Sequence, residues 1–184
     1  GESGKGTAKG PGILAPREGG GWVLLFPEGS PCSILLPPGS GWPGEWTTQG
    51  IEFQLREGEV GLRPLQLKGL GATRWHGEGR SLEGAGGLIR WNQDGSPETM
   101  ILQGPVHALA QEEEVSLRAE ERAEALLRQG SILLTGGITG NIPGGAIQAK
   151  SASWVPDEKI QLIDAFLRPE NADISKVSAR QISF

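Results

Sequence analysis

The sequence predicts an all-β chain built from repeated antiparallel strands, and three observations carry that expectation. Short apolar-alternating segments recur along the chain. Turn residues are dense, with 30 glycines and 13 prolines among 184 residues. No apolar run is longer than a strand: the longest, Val23–Phe26 and Ile34–Leu36, fall far short of a membrane-spanning helix.

The recurring unit is an apolar residue, a spacer, a second apolar residue, a spacer, then Gly or Asp, and an apolar residue two further on. Met100, Leu102, Gly104 and Val106 fit it, as do Ile132, Leu134, Gly136 and Ile138. Ile160, Leu162, Asp164 and Phe166 form a third copy, and Leu65, Leu67, Gly69 and Gly71 a fainter one. Measured at the second apolar position, the copies are 35, 32 and 28 residues apart. Alternation places each apolar set on one face of a strand, and the Gly or Asp marks a bend where the ladder is re-aimed.

A second strand precedes each copy. Leu88 to Trp91 lead through Asn92-Gln93-Asp94-Gly95 toward Met100, and Ile147, Ala149, Ala152 and Trp154 lead through Pro156-Asp157-Glu158 toward Ile160. Asp-Gly is a favoured hairpin turn. Ile51, Phe53 and Leu55, followed by Glu57-Gly58 and then Val60 and Leu62, read as a further hairpin. Residues 112–129 (EEEVSLRAEERAEALLRQ) are rich in helix formers, yet the repeat requires strands near Leu117–Ala119 and Ile132, and strands are the expectation. Residues 1–45 hold seven of the prolines and are expected to form a Gly/Pro-rich segment of irregular or short strands, or a loosely attached arm, ahead of a repeat domain spanning 46–184.

Chemistry is sparse. The opening GESGKGT lacks the preceding strand, the glycine spacing and the following helix of a phosphate loop, so it reads as a flexible tail. His76 and His107 are isolated, Cys32 is the single cysteine, and no serine sits in a G-x-S-x-G setting. The Glu112–Glu114 run reads as a solvated loop. No catalytic residue, cofactor or metal site is expected, and the protein is not expected to be an enzyme. A net charge of −5 without a basic patch argues against nucleic acid as partner.

The phrases MILQGPVHA, ILLTGGITG and IQLIDAFL, with preceding strands such as AIQAKSASW, resemble the OstA-like repeat of the lipopolysaccharide-transport proteins. The likeness spans about Trp46 to Phe184. Trp91 and Trp154 before their turns most resemble the longer, cyanobacterial LptC-type members, alongside the LptA bridge proteins. The amino-terminal membrane helix of LptC has no counterpart here.

The resemblance implies a twisted, V-shaped β-jelly roll, or β-taco, with open edge strands and an apolar groove for acyl chains of lipopolysaccharide or a related lipid. The residues it would place in that groove are Met100, Leu102, Val106, Ile132, Leu134, Ile138, Ile147, Trp154, Ile160, Leu162 and Phe166. It implies strand addition between jelly-roll partners, with Ile174, Val177, Ile182 and Phe184 marking an edge. It also implies a periplasmic location, a tether to the inner membrane through a segment outside this chain, and contact with an inner-membrane ABC transporter complex. Two other readings of the same residues stay open: a structural β-solenoid scaffold whose inward residues close a filled core, and a carbohydrate-active β-helix enzyme.

Overall fold

In the computed structural model, which describes residues 5–59, 61–155, 159–169 and 177–183, the chain is almost wholly antiparallel β-sheet. Two short strands, β1 (Lys5–Ala8) and β2 (Ile13–Pro16), precede the long pair β3 (Trp22–Leu36) and β4 (Gly44–Gly58). Then come β5 (Gly61–Gly69), β6 (Thr73–Gly77), β7 (Arg80–Gly84), β8 (Gly86–Trp91), β9 (Pro97–Gln103) and β10 (Val106–Ala110). The chain continues through β11 (Val115–Ala119), β12 (Arg122–Leu126) and the longer β13 (Ser131–Ile142), β14 (Gly145–Val155), β15 (Lys159–Pro169) and β16 (Val177–Ser183).

The strand order explains the jelly-roll shape. Near Gly50 the long strand β4 changes partners: Glu45–Thr48 pair with β6, whereas Ile51–Gly58 pair with β5. Strands β6, β7, β10 and β11 continue one leaf, and β5, β8, β9 and β12 continue the other. Strand β13 rejoins them, its first half on β12 and its second on β11. The ten strands therefore close a flattened ring, which β3 extends at one end and β14–β16 at the other.

Successive hairpins switch leaves at corners that fall on one crease: Gly69–Gly71, Gly84–Gly86, Gly104–Pro105, Glu120–Glu121 and Gly136–Gly137. Backbone bonds tie neighbouring corners, as from Leu70 N–H to the Gly50 carbonyl (3.0 Å) and from Ala85 N–H to that of Gln103 (2.9 Å). Glycine is required where chains cross this closely: a Cβ on Gly136, whose φ is +92°, would collide with Glu121.

Each leaf turns one apolar face inward. By register, Ile34, Trp46, Trp75, Leu82, Ala108 and Leu117 form a row on the first leaf. Phe53, Leu67, Ile89, Met100, Ala125, Ile132, Trp154 and Ile160 form its counterpart on the second. Trp46 reaches across to Gly69 and Gly87, where any Cβ would meet its ring at 3.1 Å.

Three expectations change. Residues 1–45 are no separate segment, because β3 runs fifteen residues and pairs with β4 across the proposed boundary at residue 46. Lys5–Ala8, expected in a flexible tail, form an edge strand on β3. The phase of the last repeat also slips. Asp164 takes a positive φ of 50°, so Ala165 turns inward and Phe166 outward, 42% exposed. By contrast, residues 115–126 are strands despite their helix propensity. Val115, Leu117, Ala119, Ala123 and Ala125 alternate into the core, and that burial outweighs local preference.

Candidate functional site

A cavity of about 280 Å³ opens between the leaves at the β1–β2 end. The first leaf contributes Gly6, Thr7, Ala8, Ser33 and Ile34; the second contributes Leu24, Phe26, Ile51, Phe53 and Leu67. Its shape follows from the sheet edges. Strand β1 is only four residues long, with Gly6 opposite Ile34, so little side-chain volume fills the space above Leu24 and Phe53. Thr7 and Ser33 share a hydroxyl hydrogen bond of 3.1 Å beside it. No ionisable side chain lines the cavity, so it suits an apolar group with only hydroxyl and backbone oxygen for polar contact.

Most of the residues expected in a groove lie elsewhere. Met100, Leu102, Ile132, Leu134, Trp154, Ile160 and Leu162 on the second leaf, and Val106, Ile138 and Ile147 on the first, are all buried in one continuous core. None of these lines the cavity. The ones that do were visible in the sequence as the apolar run Val23–Phe26 and the alternation Ile51, Phe53, but lay partly in the segment read as an arm.

The mouth opposite the crease is closed by three tryptophans. The connection between β3 and β4 contains a 3-10 turn at Pro38–Ser40 and then Trp42, which is 2% exposed. Its ring packs edge-on against Trp75 of the first leaf (centroids 4.9 Å apart) and Trp154 of the second (6.2 Å). The Trp154 indole N–H donates to the Glu113 carboxylate at 3.1 Å, and Arg80 donates to the other oxygen at 2.8 Å. Glu113 thus belongs to a half-buried tie across the mouth as well as to the turn; its neighbours in sequence gave no sign of that.

Both histidines lie on outer faces. His76 lies 3.6 Å from Glu45, and His107 Nε2 accepts a 3.2 Å hydrogen bond from Arg118. The Cys32 thiol is buried, donates to the Ser30 carbonyl at 3.3 Å, and is pushed up from its ordinary pKa by burial, with the Gly50 backbone opposing more weakly. Among the described residues, no group of three or more His, Cys, Asp or Glu is arranged to hold a metal ion.

Two sheet ends are open among the described residues. Strand β16 pairs only with β15, placing Val177 opposite Leu167 and Ile182 opposite Leu162. Ile174 and Phe184 lie outside the described residues. At the other end, β1 and β2 each pair only with β3, and Ile13 and Leu14 of β2 are exposed. No protein-family model matches this chain, and no curated protein matches its sequence.

Proposed function

We propose that the protein is a lipid-binding bridge component of the cell envelope. It takes acyl chains of lipopolysaccharide or a related lipid between its leaves at the β1–β2 end and joins partner jelly rolls through its edge strands. It performs no bond-making chemistry. The observation that carries the reading is the uncharged apolar cavity, which lies beside β1 and β2, each paired on one side only among the described residues. Burial of a chain there gains roughly 25 cal/mol per Å² of apolar surface removed from water, with the sugar and phosphate groups left in solvent. The edges supply the backbone donors and acceptors for strand addition in a periplasmic assembly fed by an inner-membrane ABC transporter.

The test is native mass spectrometry of delipidated protein offered lipopolysaccharide. Uptake by the wild type, lost in Leu24→Asp while the circular dichroism spectrum holds, supports the reading. Leu24 is the right position because it lines the cavity, whereas Leu134 sits in the packed interior. If the wild type takes up no lipid, the second reading stands: a structural scaffold assembling through its edges. That alternative is favoured by the closed ring and by the four tryptophans, Trp42, Trp46, Trp75 and Trp154, that fill it.

A further inference from the structure

The segment from Pro37 to Pro43 crosses the mouth as a strap. At one foot, Pro43 and Gly44 press on Gly77 of the first leaf, where the Pro43 carbonyl leaves no room for a Cβ. At the other, Gly41 lies against the Leu127 carbonyl and Gly130 of the second leaf, again too close for any side chain. Trp42 drops from this strap into the interior.

The strap is attached by shape rather than by polar bonds. Its one internal backbone hydrogen bond runs from Ser40 N–H to the Pro37 carbonyl, and among the described residues none joins it to the Leu127–Gly130 turn. Ser40 Oγ and the indole N–H groups of Trp42, Trp46 and Trp75 are buried without a partner among the described residues. Buried polar groups are nearly always satisfied, and leaving several unpaired in one place weakens the closed state relative to any state that pairs them. Trp46 and Trp75 follow Ile34 of the cavity along one inward row, so the cavity and the floor beneath Trp42 are consecutive stretches of the same surface.

We infer that the seat of Trp42 is a second acyl-chain subsite, occupied here by the protein's own side chain and opened when the strap swings out. Its ligand is an apolar chain bearing an oxygen acceptor, a fatty carboxylate or acyl ester. The chain replaces the indole between Trp75 and Trp154, and the oxygen accepts from the unpaired indole N–H groups. This rests on the lipid-binding reading above and adds to it a self-plugged interior that the chain unplugs from the cavity side.

The experiment uses dodecanoate and the full chain labelled with 5-fluorotryptophan, the Trp42 resonance being identified by its loss in Trp42→Phe. Native mass spectrometry counts bound dodecanoate. A first molecule is expected to fill the cavity with Trp42 still shielded from a soluble nitroxide. A second, weaker one should bind as the Trp42 resonance becomes accessible. Trp42→Ala should bind that second molecule about tenfold more tightly, because the closed state no longer competes. A Trp42 resonance that stays shielded at saturation overturns the inference, even if Trp42→Ala fails to fold. So does a folded Trp42→Ala protein that binds no second molecule more tightly. If the first molecule binds and is lost in Leu24→Asp but no second follows, only the plugged subsite falls. If neither binds, the lipid-binding reading falls with it.

Discussion

 The indole N–H of Trp154 on β14 donates to the carboxylate of Glu113, in the β10–β11 turn 41 positions earlier in the chain, at 3.1 Å across the mouth. Arg80 at the start of β7 donates to the second carboxylate oxygen at 2.8 Å, so one side chain joins the second leaf to a turn and a strand of the first. Glu113→Ala leaves the Trp154 N–H and the Arg80 guanidinium without this partner. The expected loss is about 1–3 kcal/mol, measured by urea unfolding. Glu113→Gln, which keeps an acceptor oxygen, should recover part of it. An alanine variant as stable as the wild type would contradict the tie.

Gly86 and Gly87 are neighbours on β8 with opposite tolerance. A Cβ on Gly87 would lie 2.6 Å from Thr73 Cγ2 and 3.1 Å from the Trp46 ring, whereas one on Gly86 meets nothing nearer than 3.5 Å. Gly87→Ala should therefore cost about 1–3 kcal/mol through overpacking. Gly86→Ala should be close to neutral in the same denaturation experiment. Equal effects would mean that the leaves are not in contact at Trp46.

Asp94 sets an acid limb of stability. Hydrogen bonds from the Ser96 side chain and backbone, with a smaller contribution from Arg128, hold its carboxyl down at about 2. Because the folded value lies below the ordinary one, the stabilisation is complete above the ordinary carboxylate range. It is lost as pH falls from about 4 toward about 2. The side chain is solvent-exposed, so the effect is small. The difference in melting temperature between wild type and Asp94→Asn, present at about pH 5, should close by about pH 2. A difference that persists unchanged would exclude Asp94 as its source.

The all-β class and most hairpins were legible because alternation is a local signal: Met100 and Leu102, or Ile132 and Leu134, declare a strand face without knowledge of the partner. Even the helix-prone stretch obeyed it, since Val115, Leu117 and Ala119 need the core more than their neighbours need a helix. What alternation leaves out is phase across a bend. Asp164 in a left-handed conformation moved Phe166 to the outside, and nothing in Ile160-x-Leu162-x-Asp164-x-Phe166 distinguishes a bend that keeps phase from one that breaks it. The cavity was hidden for a different reason. It depends on the shortness of β1 and on the pairing of β3 with β4, a long-range property of a segment whose prolines suggested irregularity.

Cys32 offers a probe of how firmly that end of the sheet is held. The thiol is 3% exposed, bonded to the Ser30 carbonyl, and kept protonated by burial, so in the native protein it should react slowly with a disulfide reagent at about pH 8. Its cover on one side is β1, which places Ala8 opposite it and is itself an edge strand of four residues. Such an edge opens at lower free energy than the ten-strand ring behind it. Labelling should therefore accelerate in urea below the midpoint of global unfolding, with a weak dependence on denaturant. A labelling rate that follows global unfolding throughout would show that β1 opens only with the whole sheet, and the cavity beside it would then be a rigid cleft rather than an entrance that breathes.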